Sequence, residues 1–179
     1  MQEIALSIIV AMTQDGVIGD NGKLLWHLPS DLARFRKITM RAGTVVMGSK
    51  TYKSILDRNG GPLRGRKHIV LTRSGMFSPH ESVRFVQSFG EACMVIVKYA
   101  NHACIIGGGE IFRLFLPIPQ VTNICVTTVH TSGKKLSGDA TFPITDLALW
   151  QPTTNLNIRR RNPNDEYETS LTLYKRSQF

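Results

Sequence analysis

Cysteine is scarce in this chain: three in 179 residues, Cys93, Cys104 and Cys125, with no CxxC pair and an odd thiol left over. That pattern argues against a disulfide framework and a structural zinc centre, and leaves buried core thiols as the expectation. The five histidines show no HExxH or other ligand spacing, so no metal is assigned. Acids are also short, 13 against 22 Lys and Arg, which gives a formal net charge of +9 and favours anionic partners. The basic residues are scattered, however. Their one tight cluster, Arg159-Arg160-Arg161, runs into Asn162-Pro163-Asn164-Asp165-Glu166, the polar turn expected of a hairpin. Nucleic acid requires a contiguous basic face, whereas an anionic small molecule needs far fewer charges. No apolar run approaches the roughly 20 residues that span a bilayer. The N-terminus also lacks the basic segment and small-residue cleavage site of a secretory signal, so no membrane partner and a cytoplasmic location are expected. Without heptads or a long apolar edge, the expected state is a monomer.

What is present is an alternation of strand and helix patterns. Ile4 to Ala11 is a continuous apolar run of strand length, followed by shorter runs at Thr44 to Met47, His68 to Leu71, Ala103 to Ile106 and Asn123 to Val129. Helical stretches lie between them at Ser30 to Met40, Ser49 to Leu56, Phe89 to Tyr99 and Glu110 to Phe115. Two β-rich runs, Asn155 to Arg161 and Tyr167 to Lys175, flank the Asn162 to Asp165 turn. The expected fold is α/β: a central mixed, mostly parallel sheet with a C-terminal antiparallel hairpin, flanked by helices, in one domain over residues 1–179.

Three segments carry chemistry. In Ile18 to Thr39 a glycine-bearing loop enters a helix that Ser30 can cap, with Leu32, Phe35 and Ile38 as its inward face. Asp31 lies four residues before Phe35, so carboxylate and ring share one side and can clasp a flat molecule. An acid in a first turn equally suits the helix dipole, and that ordinary reading stands beside the first. Ile106-Gly107-Gly108-Gly109-Glu110 joins a strand to a helix, where backbone can approach a pyrophosphate, or simply turn tightly. Met47-Gly48-Ser49-Lys50-Thr51 repeats that junction.

Val17-Ile18-Gly19, Gly22, Trp26, Leu28-Pro29, Asp31, Phe35 and Thr39 together resemble the substrate-binding segment of dihydrofolate reductases. Ala11, Val46-Met47-Gly48, Thr51, Pro62 to Lys67, Ile105 to Gly109, Thr127 and Gly138 to Pro143 continue the family's order along nearly the whole chain. The resemblance implies NADPH as cofactor, dihydrofolate as substrate and antifolates as ligands. It implies that Asp31 receives the pterin N–H and amino group and assists protonation of N5 through water, with Thr127 supporting the carboxylate, and Trp26 and Leu24 completing the catalytic set. Ile9, Val10, Leu32, Phe35, Ile55, Leu63, Ile106 and Phe112 would surround the rings, and Arg66 would grip the glutamyl α-carboxylate. For the cofactor it implies Ala11, Ile18, Gly19, Gly22, Lys23, Leu24, Gly48, Ser49, Lys50, Thr51, Leu71, Thr72, Arg73, Ile106, Gly107, Gly108, Gly109, Glu110, Ile111, Phe112 and Ala140. A cis peptide between Gly107 and Gly108 is implied as well. The loop Asp15 to Leu24 would act as a lid over the nicotinamide.

Several positions depart from the family pattern. Leu24-Leu25 precede Trp26 where proline is usual. Ser49 and Glu110 stand where arginines are frequent, so Lys50 and Arg73 are expected to meet the 2′-phosphate. Leu56 to Gly61 is expanded and Gly61 falls near a usual arginine, which predicts a less basic rim at the benzoyl-glutamate tail. Such departures around the pocket raise the expectation of weakened affinity for diaminopyrimidine antifolates such as trimethoprim. The rival readings are the reductase of riboflavin biosynthesis, against which the Trp26, Asp31, Phe35 set argues, and a basic nucleic-acid-binding domain.

Overall fold

The structure is a computed structural model that describes residues 4–75, 78–153, 158–160 and 162–176. Its strands are β1 (Ala5–Thr13), β2 (Val17–Gly19), β3 (Thr44–Gly48), β4 (Lys67–Leu71), β5 (Val83–Val86), β6 (His102–Gly107), β7 (Val121–His130), β8 (Ala140–Thr141), β9 (Trp150–Pro152), β10 (Ile158–Arg160) and β11 (Glu168–Arg176). The helices are α1 (Pro29–Ala42), α2 (Ser49–Asn59), α3 (Phe89–Tyr99) and α4 (Gly109–Phe115), with a 3-10 helix at Ile144–Leu149. Nine strands form one sheet in the order β10-β11-β7-β1-β6-β3-β4-β5, with β9 also paired to β11. The β1, β3, β4, β5, β6 and β7 pairings are parallel, and those of β11 with β7, β9 and β10 are antiparallel. This is the expected mixed sheet with an antiparallel C-terminal end.

Burial alternates along β1, and that alternation divides the core. Leu6, Ile8, Val10 and Met12 face a cluster built on Val95 and Ile96 of α3 and Ile111, Phe112 and Phe115 of α4. Ile9 on the opposite face packs with Phe35 and Ile38 of α1 and Ile55 of α2. The long apolar run therefore reflects helices on both faces of the sheet.

The short strands escaped the sequence reading. β2 lies inside the segment expected to be a polar lid and pairs with β8, so the loop is tied down by a two-stranded sheet. Asn21 N–H donates to Asp139 Oδ1 (3.0 Å) and Asp139 N–H to Asp20 Oδ1 (3.2 Å), reinforcing that tie. The expected Ser30 cap is also corrected. Leu28 is the N-cap without a side-chain bond, Pro29 fills N1, and the Ser30 backbone N–H and hydroxyl both bond the Asp165 carboxylate from the turn between β10 and β11. An acid 135 residues away thus serves the helix terminus, which local spacing does not reveal. Arg159 and Arg160 lie on β10 at the sheet edge. Residues 155–157 and 161 of the expected hairpin lie outside the described residues. Of the cysteines only Cys104 is fully buried; Cys93 and Cys125 are half-buried.

His68 on β4 is a buried histidine with a defined job. Its Nε2 accepts the Leu63 N–H (3.1 Å) and its Nδ1 faces the Ser82 carbonyl (3.3 Å), an arrangement satisfied by a neutral ring protonated on Nδ1. Burial is the main cause that holds its pKa below the ordinary histidine value. Below about pH 6.5 the unfolded chain therefore binds the proton that the folded chain resists, so stability declines on acidification and is fully present above that value. Urea midpoints should fall from pH 7.5 to pH 5.5, with a shallower fall in His68→Gln; an equal slope in both proteins would exclude His68 as a source.

Candidate active site

The parallel strands end on one side of the sheet, and a cleft of about 860 Å³ opens there, as open α/β sheets dictate. Its floor comes from β1 (Ile9, Val10, Ala11), β6 (Ile106) and β4 (Leu71). Its walls are the first turn of α1, the β3–α2 junction, the β6–α4 junction and the β2 segment with β8.

At one end stands Asp31. Its Oδ1 accepts the Thr127 hydroxyl from β7 at 2.7 Å, the support expected from Thr127. The same oxygen receives Arg34 Nη2 at 2.7 Å, and that nitrogen lies 3.3 Å from Thr127 Oγ1. Arg34 was not among the expected site residues, because the Leu32, Phe35, Ile38 stripe sets it outside the apolar face. The i,i+3 spacing from Asp31 was the available signal. Leu32 and Phe35 line the cleft beside the carboxylate.

At the other end two helices begin on glycine. Gly48 and Gly108 are the N-cap residues of α2 and α4, neither with a side-chain cap, so the first-turn amides beside the cleft have no side-chain cap partner. The peptide between Gly107 and Gly108 is cis, as the resemblance implies. A Cβ on Gly108 would meet Thr51 Oγ1 at 3.5 Å, so the two junctions converge. Ile18, Gly19, Gly22, Lys23, Leu24, Ser49, Lys50, Thr51, Ile55, Thr72, Arg73, Gly109, Glu110, Ile111, Phe112 and Ala140 all line this cleft. Arg73 and Glu110 approach each other at its mouth (Nη2 to Oε2, 3.7 Å), but both are almost fully exposed and the pair is weak.

Five expected site residues lie outside the lining. Thr127 stands behind Asp31, and Gly107 lies under the Phe112 ring, 3.1 Å from where its Cβ would be. Trp26 is buried with Leu28 and Val129 at the entry to α1. Leu63 packs in the core against Val45, Tyr52 and Ile55. Arg66 is 8% exposed, with Nη1 bonded to Thr39 Oγ1 (3.0 Å) and Nε to the Arg64 carbonyl (3.1 Å). Among the described residues no carboxylate pairs with it, and burial is the first cause lowering its pKa, followed by Arg36.

The rim expected to be less basic carries one arginine, Arg58. α2 runs on to Asn59 rather than ending at Leu56, and this carries Arg58 onto the cleft lining together with Ser54. Thr51, Ser54, Ile55 and Arg58 follow helical spacing, so the spacing from Thr51 points to Ser54 within the expected helix, and one further turn points to Arg58. Also missed were Ser74, Gln87, Ser88, Phe89, Arg113, Leu114, Asp139 and Thr141. Gln87 to Phe89 mark the end of β5, one more strand terminus on the same side. Lys23, Lys50, Arg58, Arg73 and Arg113 outnumber Asp31, Glu110 and Asp139 around the cleft, five to three.

The dihydrofolate reductase family model matches residues 5–176. The chain belongs to the dihydrofolate reductase family. It is 38% identical over 173 residues to a dihydrofolate reductase of Haemophilus influenzae, covering 97% of this chain and 99% of the relative. A dihydrofolate reductase of Mycobacterium tuberculosis is 37% identical over 149 residues, 83% of this chain and 86% of the relative. Among solved structures, dihydrofolate reductase from Enterococcus faecalis complexed with NADP(H) and RAB-propyl superposes with a TM-score of 0.80 at 30% identity, covering 99% of both chains.

On the cleft lining, the start of α4 lies backbone to backbone against β8. A Cβ on Gly109 would fall on the Thr141 carbonyl of β8, whereas one on Gly61 would meet nothing within 4 Å. Gly109→Ala is expected to cost about 1–3 kcal/mol through forced backbone movement, read as a lowered Tm, while Gly61→Ala leaves Tm within about a degree or two.

Proposed function

We propose that this chain transfers hydride from NADPH to C6 of 7,8-dihydrofolate while N5 gains a proton, producing tetrahydrofolate for one-carbon metabolism. The observation that carries this reading is Asp31, held by Thr127 at one end of a cleft whose other end is two uncapped helix starts. The residues suit the dinucleotide: glycines at 48 and 108 leave backbone amides accessible where phosphates need donors. When bound, NADPH supplies the hydride. Lys50 and Arg73, which line the cleft beside those junctions, meet the 2′-phosphate in this reading.

The protein's part is positioning and proton supply. Asp31 Oδ2 has no bond among the described residues, so it is the oxygen available to the pterin N–H and amino group. Ile9, Val10, Leu32, Phe35, Ile55 and Ile106 keep the rings flat against the floor and exclude water. Trp26 and Leu63 act from behind this wall, fixing the entry to α1 and the base of α2. Thr39, the partner of Arg66, follows Asp31 by eight residues on α1, about 12 Å at 1.5 Å per residue. A buried arginine without an anion at that distance suits the glutamyl α-carboxylate of an elongated substrate. A single domain acting as a monomer in the cytoplasm completes the proposal. The continuous nine-stranded sheet supports the single domain. Among the described residues no helix is long and apolar enough to cross a membrane.

We also propose reduced sensitivity to diaminopyrimidine antifolates, supported by the departures at Ser49, Gly61 and Glu110 and by the cation against Asp31. The experiment is the initial rate of NADPH oxidation with dihydrofolate, with NADH in parallel and trimethoprim titrated in. Turnover that favours NADPH and persists at trimethoprim concentrations well above that of the enzyme is expected. Absence of turnover overturns the reaction, equal rates with NADH overturn the roles of Lys50 and Arg73, and stoichiometric inhibition overturns the reduced sensitivity. Asp31→Asn should retain NADPH binding and lose at least about a hundredfold in turnover at neutral pH; full activity would reduce Asp31 to a helix-terminal acid.

A further inference from the structure

Arg34 touches neither substrate nor cofactor in the reaction proposed above, yet its guanidinium is the charged group paired with the carboxylate at the heart of the site. It reaches Asp31 Oδ1 from one turn further along α1, at 2.7 Å, and the two side chains are 29% and 18% exposed. Arg34 does not itself line the cleft, so it takes no space from a ligand. Thr127 closes the triangle, donating to Asp31 Oδ1 and receiving Arg34 Nη2. The other titratable group against the pair is Cys125 of β7, whose thiol burial pushes up, so it adds no charge. Asp31 is therefore a hydrogen-bond acceptor whose negative charge is already balanced. Basic residues also outnumber acids around the cleft.

We propose that Arg34 is a specificity-determining residue that sets the ligand charge this site accepts: it leaves Asp31 Oδ2 free to bind the paired N–H edge of a neutral pterin, while denying a cationic ring of the same shape the ion pair an unbalanced carboxylate would give. A neutral ligand needs only the acceptor geometry, which Thr127 and Arg34 jointly fix. A ligand that must carry a proton beside the carboxylate meets a unit positive charge held a few ångström away. The inference rests on the proposed function, since it assumes the pterin edge docks on Asp31.

Dissociation constants for folate, whose pterin ring is neutral, and trimethoprim, whose diaminopyrimidine ring takes up a proton, decide the matter. They are measured in the presence of NADPH for the wild-type protein, Arg34→Leu and Arg34→Lys. Removing the charge in Arg34→Leu should tighten trimethoprim relative to folate by at least about tenfold, the scale of one charge at that range in a partly exposed site. Arg34→Lys should keep the wild-type ratio, which a purely packing role would not rescue. A ratio in Arg34→Leu within twofold of wild type, or an equal shift in Arg34→Lys, overturns the proposal. If the leucine variant fails to fold, Arg34→Gln supplies the uncharged comparison and is judged by the same ratio. Wild-type protein that binds neither ligand overturns the functional reading together with this inference. Wild-type turnover of dihydrofolate with an unmoved ratio overturns the inference alone.

Discussion

The hydrogen bond from Thr127 to Asp31 joins positions 96 residues apart, and the rest of the cleft is arranged around the conditions that bond requires. β7 must lie directly beside β1, which the parallel register Ala11 opposite Thr127 provides. A slip of one residue would turn the hydroxyl to the opposite face of the sheet and leave the carboxylate with Arg34 alone. α1 must begin above that point. Pro29 at N1 and the Asp165 carboxylate on Ser30 fix its start, and Trp26 and Leu28 pack against Val129, one pleat beyond Thr127. The N-terminal helix and the C-terminal strands thus hold the same few ångströms in place from two sides.

A second constraint acts where the β6–α4 junction meets the β2–β8 ribbon. Gly109 and Gly138 lie so close to the Thr141 and Gly19 carbonyls that neither has room for a Cβ. Those approaches lock the β2–β8 ribbon onto the start of α4. The segment from Asp20 to Lys23 is then held by its own bridge and by Asp139. Backbone contacts of this kind are rigid in a way that side-chain contacts are not, because no rotamer can relieve them. The segment from Val17 to Lys23 is therefore anchored by the β2–β8 pairing, by its own bridge and by Asp139.

How much of this was legible in the sequence follows from how local each cause is. α3 was read to its residue limits because Ser88 caps it through the Glu91 N–H and the stop after Tyr99 is equally local. The buried strands were read within a few residues because continuous apolar runs need no partner to be recognised. β2, β5, β8 and β9 escape the sequence because strands of two to four residues exist only through their pairing. Ser30 reads as a cap from local spacing because its true partner, Asp165, is supplied by the far end of the chain. Arg34 and Arg58 are different cases. Both lay within reach of helical spacing, and both were passed over because a basic residue off the apolar stripe is ordinarily solvated.

Those two arginines and Arg66 show why residue type alone underdetermines a site. Arg66 is buried with only neutral partners, a hydroxyl and a carbonyl, so its charge lacks an anion among the described residues. Arg34 is less buried and already paired, so its charge is spent on Asp31. Arg58 stands on the cleft wall without either constraint. A paired cation and its carboxylate present little net field to a ligand, whereas an unpaired buried cation presents a strong one, since low-polarity surroundings weaken screening. Along α1 the chain therefore places a charge-balanced carboxylate at Asp31 on the cleft and, about two helical turns on and behind the cleft lining, an unpaired cation at Arg66. A molecule with a hydrogen-bonding aromatic edge and a distant carboxylate matches that order in one direction only, which makes orientation a consequence of where the acids are and are not.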